Sequence, residues 1–144
     1  MRIGVPTEIK TAERRVGLLP QSVAELTGAG HDVVVQSGAG AGAGGTDEAY
    51  VAAGATILAD ATSVFDQADM IVKVKEPQAS ERAMLRSDQT LFTYLHLAPD
   101  PDQTRELIDS GATCIAYETV TGRNGGLPLL APMSQVAGLS LIHI

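Results

Sequence analysis

Tryptophan is absent from this 144-residue chain, and aromatic residues make up only 3% of it. A core without large rings has to be assembled from Val, Leu, Ile, Ala and Met. Cysteine occurs once, at Cys114. One thiol excludes a disulfide framework and suits a reducing compartment, so a cytoplasmic location is expected. Within the apolar run TCIAY, Cys114 is read as a small core residue. Positive charge is also scarce: 10 Lys and Arg stand against 17 Asp and Glu, a net charge of −7. That balance argues against a nucleic-acid or anionic-membrane partner, since both require clustered cations. No apolar run reaches the length needed to cross a bilayer, and Glu8 and Lys10 interrupt the opening residues before a signal-peptide core can form.

What is present is a globular composition, 44% hydrophobic and 19% charged, sized for one domain. Short β-branched runs alternate with helical segments. RIGVP (Arg2–Pro6), DVVVQ (Asp32–Gln36), MIVKVK (Met70–Lys75), TLFTYLHL (Thr90–Leu97) and TCIAYE (Thr113–Glu118) read as strands. Pro20 opens a helix with Val23, Ala24 and Leu26 inward and Gly28 or Gly30 as its stop. Thr46 caps a second helix that carries Asp47 and Glu48 in its first turn and ends at Gly54. Asp100 caps a third, with Leu107 and Ile108 inward and Gly111 as terminator. GRNGG at 122–126 is a loop. This alternation predicts an α/β fold with a largely parallel sheet and flanking helices.

The glycine-rich stretch SGAGAGAGG contains G-x-G-x-x-G at Gly40, Gly42 and Gly45, with Asp60 near the distance of a ribose-binding acid. An Ala/Gly run matches that pattern in several registers, so the residues leave two readings, a phosphate cradle or a plain loop. Lys73 and Lys75 share one strand face, and Lys75 sits at the carboxyl end beside Pro77. His96 closes another strand, two residues after Tyr94, whereas His31 follows Gly30 in a turn and is expected to be solvated. Arg14 and Arg15 follow the first strand, and Glu118 ends the last, where a structural ion pair is expected. In a parallel sheet Arg15, Lys75 and His96 fall on one rim. A guanidinium, an ammonium and an imidazole there suit a small carboxylate and proton transfer near neutral pH. Surface cations and a structural histidine are the alternative.

The blocks MRIGVPTEIKTAERRVGLLP, VKVKEP, LFTYLHLA, AYETV and LPLLAPMSQVAG resemble, over Met1–Gly138, the N-terminal portion of the alanine dehydrogenase family. The related transhydrogenase α subunits share the opening and the glycine loop but differ at FTYLHLA and LPLLAPMS. The resemblance implies a two-domain dehydrogenase that converts L-alanine to pyruvate and ammonia with NAD, in cytoplasmic homo-oligomers, usually hexamers. It implies that Arg15 and Lys75 hold the substrate carboxylate and carbonyl oxygen, that His96 is the acid–base group, and that Ser134 contacts the cofactor. No metal ligand is implied. The glycine loop then belongs to the substrate domain.

Residues 1–128 are accordingly expected to form the substrate domain without its C-terminal return segment, and 129–138 to begin an interdomain helix. The dinucleotide-binding domain is expected to be absent from these residues. LSLIHI at 139–144 departs from the family and matches the translation of a transposon end used in sequencing libraries. A non-native tail is expected there, with no role for His143, and the 144 residues alone are expected to be inactive. A transhydrogenase α domain and a non-catalytic carboxylate-binding fragment are the alternatives.

Overall fold

A computed structural model describes the backbone of residues 1–142 and side chains as far as residue 136; His143 lies beyond it. Six strands form one all-parallel sheet: β1 (Arg2–Val5), β2 (Asp32–Gln36), β3 (Thr56–Leu58), β4 (Met70–Val72), β5 (Thr90–Thr93) and β6 (Thr113–Ala116). Their order is β3-β2-β1-β4-β5-β6. This is a doubly wound sheet, whose direction of travel reverses between β1 and β4. The helices are α1 (Pro20–Gly28), α2 (Asp47–Ala52), α3 (Ala61–Gln67), α4 (Ala79–Arg82), α5 (Pro101–Ser110) and α6 (Ala131–Ile142).

The central strands read apolar throughout because both faces are covered. Val33, Val34 and Val35 of β2 are all buried, as are Ile3 and Val5 of β1. Two clusters result. One gathers Ile3, Val5, Val23, Val33, Val35 and Tyr50; the other gathers Val34, Val64, Phe65, Ile71, Leu91 and Leu107. Caps set the helix starts. Thr46 accepts from Ala49 N–H, Asp60 from Ser63 N–H and Asp100 from Gln103 N–H. Asp60 is therefore a helix cap, which leaves its carboxylate committed to α3.

Several sequence expectations are corrected. β4 and β5 leave the regular ladder at Val72 and Thr93, sooner than their apolar runs suggest. Pairing persists in single bonds, Lys73 N–H to Phe92 C=O (3.1 Å) and Tyr94 N–H to Val74 C=O (3.2 Å), as the chains diverge. Ile108 is 73% exposed rather than inward. The inner stripe of α5 runs through Gln103 and Leu107, four residues apart, and Ile108 is rotated off it. Cys114 is half-buried, because β6 is an edge strand. His31 is half-buried too, and its Nδ1 is enclosed without a hydrogen-bond partner.

Candidate active site at the carboxyl edge of the sheet

In a doubly wound sheet, ligands meet the crevice outside the carboxyl ends of the strands where the winding reverses. Three segments converge there. The loop after β1 carries Glu8, Lys10, Glu13 and Arg15; the segment after β4 carries Lys73, Lys75 and Glu76; the segment after β5 carries Tyr94 and His96. The first two pack tightly: a Cβ at Gly17 would lie 2.5 Å from the Val72 carbonyl oxygen. Only glycine allows that approach.

Beneath the rim is a buried charge cluster. Lys73 is 1% exposed. Its Nζ donates to Glu8 Oε2 (2.6 Å) and lies 2.9 Å from Glu81 Oε2, an ionic contact without hydrogen-bond geometry. Lys73 therefore follows the rule for a lysine at an apolar strand end: it is retained by anionic partners. Glu8 has a second task. Its Oε1 accepts from the main-chain N–H groups of Val74 (3.1 Å) and Lys75 (2.6 Å). The backbone that presents Lys75 is thus fixed by a side chain from the β1 loop.

Above the cluster opens a cavity of about 240 Å³, lined by Lys10, Lys75, Glu76, Tyr94, His96, Glu118, Leu130 and Met133. Lys75 and His96 therefore share one cavity. Lys10 pairs with Glu76 across its wall. Burial raises the Glu76 carboxyl, but the Lys10 hydrogen bond and the charges of Lys10 and Lys75 outweigh it, and the net shift is downward. A wider concavity of about 470 Å³ between α4 and α5 is a weaker candidate, because its Arg82 is already paired with Glu106 at 2.5 Å.

Arg15 stands at the border. Its guanidinium grips Glu13 through Nε to Oε1 (2.8 Å) and Nη2 to Oε2 (2.7 Å), and its Nη1 lies 3.6 Å from Sδ of Met133, a residue that lines the cavity. The Arg15 side-chain hydrogen bond holds Glu13 down at about 2, against opposition from burial. The same bond raises Arg15. Arg15 itself lines a neighbouring cavity of about 180 Å³ with Thr7, Glu8, Glu13 and Gly42, and meets the cavity of Lys75 and His96 through its contact with Met133. Ser134 is exposed on α6, and its N–H donates to Leu130 C=O (3.1 Å). It is one residue from Met133 but does not line the cavity.

Of the aromatic rings, Tyr94 lines the cavity and is backed by Tyr117. Tyr117 packs edge-on against Phe92 (4.3 Å) and Tyr94 (4.8 Å), and its hydroxyl donates to Lys73 C=O at 2.8 Å. Burial, with the nearby Glu8 and Tyr94 charges, pushes the Tyr117 hydroxyl far up, so it remains a donor. Glu118 corrects another expectation. Among the described residues it forms no ion pair; it accepts from Leu95 N–H (3.0 Å) and His96 N–H (2.7 Å). Neither this role nor that of Glu8 carries a sequence signature, since each bond spans more than 20 residues and ends on main chain.

The glycine loop offers no dinucleotide cradle. A Cβ at Gly40 would meet Gly45 O and Tyr50 Cε2 at 2.6 Å, and one at Gly42 would meet Arg14 O at 2.6 Å. These glycines admit the protein's own atoms. The loop also follows β2, whereas the phosphate-binding turn of a doubly wound fold follows β1.

Comparison with known proteins agrees with this architecture. The family model described as "Alanine dehydrogenase/PNT, N-terminal domain" matches residues 4–137. Alanine dehydrogenase of Halomonas elongata is 60% identical over 138 residues, covering 96% of this chain and 37% of that protein. Alanine dehydrogenase of Methanococcus maripaludis is 54% identical, covering 100% and 39%. A solved L-alanine dehydrogenase superposes with a TM-score of 0.92 at 51% identity, covering 96% of this chain and 38% of that one. A transhydrogenase from Sinorhizobium meliloti gives 0.78 at 29% identity, covering 85% and 36%. The chain thus spans between 37% and 39% of the length of these two curated relatives. With residues 4–137 matched by its model, the chain belongs to the alanine dehydrogenase/PNT N-terminal domain family.

Proposed function

We propose that this chain is the substrate-binding part of an NAD-dependent alanine dehydrogenase, which interconverts L-alanine with pyruvate and ammonia. The observation that carries the reading is the shared cavity of Lys75 and His96, with Arg15 at its border through Met133. Lys75 and Arg15 would neutralise the substrate carboxylate and polarise the carbonyl oxygen. His96 would pass protons as water adds at Cα and ammonia departs. NAD, when bound, supplies the hydride acceptor. Ser134, exposed on α6, is the one residue of this chain assigned to the cofactor; the glycine loop is not. The full protein is proposed to be cytoplasmic and a homo-oligomer, a hexamer by analogy with the family. The 144 residues alone would bind a small carboxylate without turnover. A transhydrogenase α domain is the second reading, supported by the Sinorhizobium structure and disfavoured by the higher identity to alanine dehydrogenases.

Titrating pyruvate into the ¹⁵N-labelled chain tests the binding half. Shifts should concentrate at Arg15, Lys75, Tyr94 and His96 and vanish in Lys75→Ala. Perturbations spread elsewhere, or none at millimolar pyruvate, would remove the site. In the full protein, His96→Ala should abolish alanine-dependent NAD reduction while alanine still binds.

A further inference from the structure

His96 has a backbone φ of +48°, a left-handed conformation that non-glycine residues adopt only when their surroundings hold them there. Those surroundings can be named. In register, Thr93 of β5 lies opposite Ala116 of β6. β6 then turns away into the 3₁₀ turn Tyr117–Thr119. The N–H groups of Leu95 and His96 would be left without the strand partners that serve Leu91 to Thr93. Glu118, carried by that turn, supplies the acceptor: Oε1 takes Leu95 N–H at 3.0 Å and His96 N–H at 2.7 Å, with Oε2 3.3 Å from Leu95 N. The preceding residue is gripped from its other side as well. Leu95 is 2% exposed, and its carbonyl accepts from Gln103 Nε2 at 2.8 Å. Gln103 is itself fully buried on α5. The chain is therefore clamped through Leu95 and the N–H of His96.

We propose that Glu118 is a positioning residue: by capturing the main-chain N–H groups of Leu95 and His96, it holds His96 left-handed and aims its imidazole into the cavity. The functional consequence rests on the reading of His96 as the acid–base group, whereas the conformational claim does not. An acceptor oxygen is what the geometry requires, and the charge is secondary. Glutamine keeps that oxygen and alanine removes it.

The test uses NMR on the chain with Glu118→Gln, Glu118→Ala and His96→Ala. In Glu118→Ala, exchange of the Leu95 and His96 amides should quicken at least tenfold, and the His96 three-bond HN–Hα coupling should leave its left-handed value. Leu91 and Ile71 amides should stay protected. Glu118→Gln should restore both signatures to within about twofold. Unchanged His96 signals in Glu118→Ala, or a Gln variant no better than Ala, would overturn the proposal. Should Glu118→Ala fail to fold, Glu118→Gln with an undisturbed His96 coupling supports the acceptor role, and a disturbed one refutes it. In the full protein, Glu118→Ala should lower kcat at least tenfold while KM for L-alanine holds within about twofold, with rescue by Gln. If His96→Ala keeps full activity, the acid–base reading falls while the NMR result still decides the role of Glu118.

Discussion

At the scale of single residues, the cavity and its surroundings hold charges with unequal freedom. Lys73 is enclosed by Glu8 and Glu81, Lys10 is paired with Glu76, and Arg15 is half-committed to Glu13. Lys75 lines the cavity among them and has no ion pair among the described residues. The Glu13–Arg15 pair makes a direct prediction. Glu13 should titrate with a midpoint near 2, well below its usual 4.5, because the Arg15 hydrogen bonds favour the carboxylate. Since the folded value is depressed, the pair's stabilisation is present above about 4.5 and lost as pH falls toward 2. Carboxyl-carbon NMR checks it, and Arg15→Ala should return the midpoint toward 4.5. A midpoint near 4.5 in the parent chain would show that the pair does not persist in solution.

Helices and strands impose a different limit, set by contact distance. β1 is the central strand, paired with both β2 and β4, and Gly4 lies where α3 crosses it. A Cβ at Gly4 would fall 2.7 Å from Ala68 Cβ and 2.9 Å from Val64 Cγ1. Both neighbours are fully buried, so neither can retreat into solvent. Gly4→Ala should therefore destabilise by about 1–3 kcal/mol through overpacking, read as a lower urea midpoint with an unchanged slope. An equal or higher midpoint would mean that α3 moves freely over the sheet. The elements also show how far the sequence is legible. β1 and β2 are recognisable from their β-branched runs, α1 from Pro20 at its start, and α5 from its Asp100 cap and Gly111 stop. α3 and α4 are less so: α3 is seven residues and α4 four, and both are held by tertiary contacts. Ile108 passes for a core residue on composition, and only the direction of α5 against the sheet shows otherwise.

For the molecule as a whole, the sheet leaves apolar surface near α6 open to solvent. Leu127, Leu129 and Met133 are each 38% exposed, and Val136 is 64% exposed. Exposed apolar side chains of this size promote association. The chain should bind the dye ANS while folded and self-associate at high micromolar concentration by sedimentation velocity. The double change Leu127→Gln and Val136→Gln should reduce both without shifting the denaturation midpoint by more than about 0.5 kcal/mol, as expected for exposed positions. Dye binding as strong in the double variant as in the parent would place the sticky surface elsewhere.

The amino-acid order by itself determined the parallel α/β class, because alternating β-branched runs and capped helices allow few other packings. It also put Arg15, Lys75 and His96 at the ends of separate strands or just beyond them, and a parallel sheet brings such ends to one edge. Tertiary structure alone decided the rest. That Lys73 is buried in an ionic cluster, and that Glu8 and Glu118 hold the backbones of Lys75 and His96, depend on contacts between residues distant in the chain. Those contacts end on main-chain groups or on side chains of other loops, and such groups leave no local pattern in a sequence.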